Sequence, residues 1–410
     1  MHSVTCQALP QPPFCRSRKE SAFARGTVMS IRRPTTARRR GTVAVLTAFL
    51  LIALLAMVAL AVDIGYLLVA RDQLQRSADA SAMASAWELV DPNGPTRRVD
   101  YAQLTSKVQQ VAGQYAALNP VLKTSPALGT SDVTLGYVAN PTDPTSPLQS
   151  INYGSPNAVQ VTIRRTSQQN GEVPLFFAKV LGIDKAAVKA QATAVLINSI
   201  AGFQAPADGS NLQLLPFALD EPTWNNLVQW GDGNDNFRYN ADTKTVSPGS
   251  DGIREVNLYP LGTGAPGNRG TVDIGSSNNS TADLSRQIVN GISPQDMTHF
   301  PNSKLEFDAR GELSLNGDTG ISAGVKDELT SIIGKPRIIP IFRAVSGPGN
   351  NAQYTIVQFG GVRVLDVKLT GSMSSKRVII QPCNIVAKGS IPSAQPGSSH
   401  FVYSPVWLAR

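Results

Sequence analysis

The sequence predicts an α+β protein: an N-terminal transmembrane helix continuing into a stalk, a small α+β domain, and a β-rich, sandwich-like C-terminal domain. Three observations carry this. Residues 41–62 form an uncharged apolar run. A polar, alanine-rich helical pattern follows it without a break to Leu89. From residue 201 onward, short alternating apolar segments between Gly, Asn and Pro turns replace the helical period. The expected divisions are a basic leader at 1–40, a membrane helix at 41–62, the stalk and small domain at 63–200, and the β-rich domain at 201–410.

The leader holds the charge imbalance. The formal net charge of the 410 residues is +8, and residues 1–40 alone supply it with nine basic side chains against Glu20. The other 370 residues carry 28 basic and 28 acidic groups. A high pI made by one short tail speaks of membrane topology rather than of a nucleic-acid-binding face. Residues 1–28 lack any apolar period, and "MSIRRPTTARRRG" from Met29 reads as a more typical start, so translation is expected there or, failing that, a disordered cytoplasmic tail. Cys6, Cys15 and Cys383 form no metal-spaced cluster, and Cys383, alone beyond the apolar run, is expected to be buried and inert.

The 22 residues from Gly41 to Val62 span about 33 Å as a helix, against a hydrocarbon core of roughly 30 Å. Arg38, Arg39 and Arg40, with Arg32 and Arg33, outweigh Arg71 and Arg76 on the other side. The positive-inside bias puts the N-terminus in the cytoplasm and residues 63–410 outside. The competing reading is signal cleavage after Ala59-Leu60-Ala61, for which the run is longer than an ordinary signal core.

Beyond Asp63, the residues Ile64, Leu67, Leu68, Leu74, Ala78, Ala82 and Trp87 form one helical stripe, with Arg71, Asp72, Gln75, Arg76 and Asp79 opposite. One helix is expected from Gly41 to Leu89. Ala78, Ala80, Ala82, Ala84 and Ala86 allow close approach, either by the chain's own domain or by a neighbouring subunit. Asp63 is expected at the outer interface, hydrated, with a buried functional acid as the alternative. A second helix is predicted over 95–118, strands over 131–138 and 157–165 around the Pro-rich 140–147 loop, a short helix over 173–182, and a strand over 187–197. This order suggests a sheet laid against the stalk.

Two blocks in this stretch carry a resemblance. "RRGTVAVLTAFLLIALLAMVALAVDIGYLLVARDQLQRSADASAMASAWEL" and "VPLFFAKVLGIDKAAVKAQATAVL" resemble the recurrent blocks of TadG-like proteins of the tight-adherence (Flp pilus) assembly system. The matching positions include Gly41, Val62, Asp63, Gly65, Tyr66, Arg71, Leu74, Gln75, Ala78, Asp79 and Ala80. The resemblance implies a structural or accessory role in pilus assembly. It has departures. The fifth residue after Gly41 is Leu46, where filament and minor pilins of that system have the Glu associated with prepilin processing. Some relatives carry a von Willebrand A domain, whose metal loop is matched only by Asp273-Ile274-Gly275-Ser276-Ser277, with Gly at a ligand position.

The remaining chain predicts strands in "LQLLPFAL", "REVNLYPL", "KLEFDARGELSLN" (a hairpin across Ala309-Arg310-Gly311), "RIIPIF", "QYTIVQFGGVRVLDVKLTG", "KRVIIQPCNIVAKG" and "HFVYSPVWLAR". Helices are expected at 281–291 and 321–334. Asp232-Gly233-Asn234-Asp235-Asn236 has the alternating oxygens of a calcium loop but Phe237 where such a loop needs Gly and Thr243 where it needs a bidentate Glu, so a polar loop is the plainer reading. "GTGAPGNRG" at 262–270 reads as a loop, and Asn278-Asn279-Ser280 has meaning only in a glycosylating host. No nucleophile elbow, zinc helix or Walker loop occurs, and His299 and His400 have no acid or nucleophile beside them in sequence.

The expectation is therefore a non-enzymatic protein without cofactor or metal, held in the cytoplasmic (inner) membrane by one N-in/C-out helix with its bulk in the periplasm or outside. Its partners would be the membrane, other pilus-assembly proteins and a second copy of itself, not nucleic acid. The alternatives are a minor pilin-like filament subunit, or a membrane-tethered envelope enzyme or carbohydrate-binding protein.

Overall fold

The computed structural model describes residues 40–409 apart from 91–99, 142, 144, 151–155, 261–268, 276–279, 348 and 394–397. Arg38, Arg39, Met29 and the turn at 91–94 lie outside these residues, as does the side chain of Arg40. The chain divides into two units, 1–57 and 58–410.

Helix α1 runs from Arg40 to Ala86, 47 residues, and closes in a 3-10 turn at Trp87–Leu89. No proline interrupts it. In the first unit, every side chain from Val43 to Met57 is exposed among the described residues, on an apolar helix long enough to cross a membrane. In the second unit the helix acquires one buried face: Asp63, Ala70, Leu74, then the pairs Ser77/Ala78, Ser81/Ala82 and Ser85/Ala86. Ile64, Leu68 and Trp87 of the expected stripe lie outside that face and are exposed. The buried stripe is drawn by small residues instead of large apolar ones, because its partners approach closely.

Those partners belong to the chain's own small domain. Helix α2, Tyr101–Leu118, starts where Asp100 accepts hydrogen bonds from the N–H groups of Ala102 and Gln103. It buries Val108, Ala112 and Ala116. Strands β1 (Val133–Val138), β2 (Leu148–Gln149), β3 (Ala158–Arg165) and β6 (Val188–Val195) form an antiparallel sheet in the order β2-β1-β3-β6, extended by Trp407–Leu408 beside β6. Strict alternation in β3 turns Val159, Val161 and Ile163 onto Leu74, Ala78, Ala82 and Ala86 of α1 and onto α2. Ser81 and Ser85 return their hydroxyls to the carbonyls of Ser77 and Ser81 at 2.7 and 2.6 Å, so their polar groups are satisfied within the helix.

The segment expected as a helix over 173–182 is a hairpin instead. Strands β4 (Val173–Pro174) and β5 (Lys185–Ala186) pair antiparallel, and only Ala178–Leu181 makes a 3-10 turn, ended by Gly182 at φ +80°. Its apolar residues are too few for a free helix and the two β-pairs set its ends.

Beyond β6, strand β7 (Ile200–Gln204) opens the β-rich region, so the Gly/Ala/Pro passage at 201–209 begins inside a strand. The spine of this region is the 17-residue strand Ala352–Lys368, paired from Gln353 to Arg363 with Pro336–Ser346. On its other edge lie Leu313–Asp318, Ser399–His400 and Arg377–Pro382. Both faces are buried: Ile338 and Ile339, adjacent and therefore opposed, enter two separate cores. One core is closed by the three-stranded sheet that contains β7, through Phe203 and Leu305, which is the sandwich-like face. The other is closed by helical segments through Leu284, Ile288 and Leu329. Gly360 and Gly361 let the spine run under Trp224 and between the carbonyls of Cys383 and Phe401, where any Cβ would come within 2.6 Å.

The expected hairpin across Ala309-Arg310-Gly311 is corrected. The chain does reverse there, with Asp308 accepting from the N–H groups of Arg310 and Glu312, yet Lys304–Glu306 pairs with β7 and Leu313–Asp318 with the spine. Alternation identifies a strand but not its neighbour. Cys383 is buried and unpaired with another cysteine.

Ala82→Leu should destabilise the protein by about 1–3 kcal/mol through overpacking between α1 and the sheet. Met83→Leu, at a neighbouring exposed position, should stay within about 0.5 kcal/mol of the parent. Denaturant unfolding of both variants in detergent checks this.

Candidate functional site: the Asp63 junction

Asp63 is the first charged residue after the apolar run, and it is 3% exposed. The expectation that this carboxylate is hydrated is thus wrong: it is buried in the protein. One carboxylate oxygen accepts the N–H of Phe176 at 2.8 Å, and the other accepts those of Phe177 at 3.0 Å and Ala178 at 2.6 Å. Three backbone donors replace water, which is what allows the group to be buried and charged. These N–H groups are the unpaired donors at the start of the 178–181 turn, and they are aimed at α1 because Val173 and Leu175 are buried and β4 is held to β5. Tyr66, one turn further along α1, sets its ring edge-on to Phe176 with centroids 5.1 Å apart.

The other motif positions divide. Gln75 donates to the carbonyl of Gln191 in β6 at 3.1 Å and to Asp79 at 2.8 Å, a second tie between α1 and the sheet. Arg71 is exposed, next to the exposed Arg76–Asp72 ion pair. A Cβ on Gly65 would meet nothing within 4 Å, so packing does not explain the glycine. Gly41 is helical. Gln73, absent from the expected set, accepts the N–H of Leu122 at 2.7 Å. The Phe176–Ala178 donors were equally unforeseen, since nothing local in "PLFFAK" points to an acceptor more than a hundred residues away.

The remaining candidates dissolve into local structure. Asp235 of the 232–236 loop accepts from the Ser250 hydroxyl and the N–H groups of Asp251 and Gly252, and Glu255 accepts the N–H of Phe237 at 2.6 Å. These carboxylates cap their own loop. Among the described residues no three His, Cys, Asp or Glu gather as a metal site. Asp273 leaves a two-residue strand, and Gly275, at φ +109°, sits where a Cβ would strike Asp296, while Ser276 and Ser277 lie outside the described residues. Most of the 262–270 loop and Asn278-Asn279 lie outside them too. A cleft of about 900 Å³ lined by Ser210, Asn290, Gln295 and Lys388 contains one carboxylate, Asp296. Arg286 holds both its oxygens, at 2.9 and 2.7 Å. The paired free carboxylates of a glycosidase are not present there. His400 packs with Trp224 and Phe401, and His299 contacts the carbonyl of Asp296.

Comparison with known families places similarity where the two sequence blocks lie. Residues 41–88 match the Tad family model, described as Flp pilus-assembly TadE/G-like, and residues 84–194 match Tad_C, described as Tad-like Flp pilus-assembly. Together the matches run through α1, α2 and the sheet to β6, and support a TadG-like protein of the tight-adherence system. No curated protein and no solved structure matches the chain.

Asp63→Ala should leave the amides of Phe176–Ala178 without their acceptor and speed their hydrogen exchange by roughly tenfold or more, whereas Arg71→Ala should leave it unchanged. Exchange mass spectrometry on peptides covering 173–186 reads the difference.

Proposed function

For a chain that is TadG-like over residues 41–194, we propose the role of a membrane-anchored, non-enzymatic component of tight-adherence (Flp) pilus assembly. It holds residues 201–410 outside the cytoplasmic membrane as an interaction module. The observation that carries this is the Asp63 junction. The two family-matching segments are bonded to each other through Asp63, at the residue where the apolar run ends. Arg38, Arg39 and Arg40 orient that helix N-in/C-out. The cleft at Asp296 supports binding better than catalysis, since its carboxylate is committed to Arg286. The partners are other pilus-assembly proteins in the same membrane.

Loss of the protein should abolish or sharply reduce surface filaments while pilin synthesis continues, and the intact chain should restore them. Electron microscopy and pilin immunoblotting of the deletion and complemented strains check this; undiminished filaments refute the role. The N-terminal residue and intact mass of envelope-isolated protein separate the variants of the reading. A retained basic leader supports an anchor, a start at Thr42 supports a filament subunit, and a start at Val62 makes the apolar run a cleaved signal.

A further inference from the structure

We propose that the tip between β4 and β5, residues 176–183, is a second lipid contact that inserts its apolar side chains into the interfacial layer of the bilayer next to α1. The inference rests on the reading of α1 as a membrane anchor. The tip reads Phe-Phe-Ala-Lys-Val-Leu-Gly-Ile, and its five large apolar side chains are all exposed, Val180 at 90% and Leu181 at 77%. Tips of hairpins are ordinarily polar, because Gly, Asn, Asp and Ser serve the turn and water covers it. Elsewhere beyond α1 and the 3-10 turn that closes it, the exposed large apolar residues among those described occur singly, such as Trp230 and Val289, or as the pair Tyr115 and Leu118 on α2. A cluster of five within eight residues is a binding surface in search of a cover.

The position of the tip says what covers it. Its backbone N–H groups hold the Asp63 carboxylate and Phe176 packs on Tyr66, so the tip is locked at the height of residues 63–66 of α1. Asp63 ends 22 uncharged residues, which places this height at the boundary between acyl chains and headgroups. On α1 the apolar side chains of Val58, Leu60, Val62 and Ile64 are exposed at the same end of the run. The apolar surface of the tip is therefore continuous in level with the surface that lipid already covers. The charged residues fit an interfacial seat: Lys179 and Lys185 are exposed with stems long enough to reach the headgroups, and Asp184 stands at the foot of the tip. Leu175 and Val173, just before the tip, are buried in the domain, so the tip is a rigid projection. Two points of attachment, one spanning and one interfacial, restrain rotation of the domain about the helix axis.

The test uses the full chain on a Cys6→Ser, Cys15→Ser, Cys383→Ala background, in proteoliposomes of phosphatidylcholine and phosphatidylglycerol. Nitroxide labels are placed singly by Val180→Cys, Leu181→Cys, Leu51→Cys and Leu118→Cys, and their collision rates with oxygen and with a water-soluble nickel chelate are compared. Oxygen should dominate at 180 and 181, at a depth of roughly 5–10 Å below the headgroup boundary. It should dominate more strongly at 51, while the chelate dominates at 118, which is 73% exposed at the C-terminal end of α2, roughly three turns of α1 beyond Asp63. If 180 and 181 are as open to the chelate as 118 while 51 is not, the tip lies in water or awaits a protein, and the proposal is overturned with the anchor intact. If 51 itself is open to the chelate, the anchor reading fails and the tip proposal with it.

Discussion

A carboxylate that ends an apolar run must find donors when it leaves water, and Asp63 finds three in the backbone of Phe176–Ala178. The rest of the small domain follows from that closure. It brings β4 and β5 to α1, and β6 begins two residues after β5, so the sheet is delivered to the helix from its membrane-proximal end. Gln75 then bonds the Gln191 carbonyl of β6, Gln73 the Leu122 amide, and Ser77 approaches the Ala116 carbonyl of α2 at 3.4 Å. The contacts climb α1 in order, like a seam.

Small side chains make this seam possible. Ala78, Ala82 and Ala86, fully buried against Val159, Val161 and Ile163, let a helix lie close on a sheet whose own inward residues are branched. Of the serines that alternate with these alanines, Ser81 and Ser85 give their hydroxyls to the helix's own carbonyls and Ser77 gives its hydroxyl to the Ala116 carbonyl of α2. Ala78, Ala82 and Ala86 pack on the chain's own domain, while Ala80 and Ala84 are half-buried. The β-rich region is tied to this unit twice: by β7, which follows β6 directly, and by Trp407–Leu408, which joins β6 as an edge strand. Ser404 and Ser399 receive the amides of Ile197 and Ile200 at this crossing.

What the sequence by itself determined was local. The 22 uncharged residues, the strands expected over 157–165 and 187–197, the helix expected over 95–118 and the two family blocks were legible, to within a few residues at their ends, because each is a property of neighbours along the chain. Asp63 was visible as a motif residue but its role was not, since its partners lie 113 to 115 residues away and are backbone amides that no side-chain pattern records. The helix expected at 173–182 became a hairpin tip for the same reason: its apolar residues suit several conformations, and the β4–β5 pairing chose one. "KLEFDARGELSLN" turned as expected, but which sheet each half joined was settled by β7 and the spine strand. Only tertiary structure decides pairing, because strand registers and buried donors are satisfied by residues that chain order keeps apart.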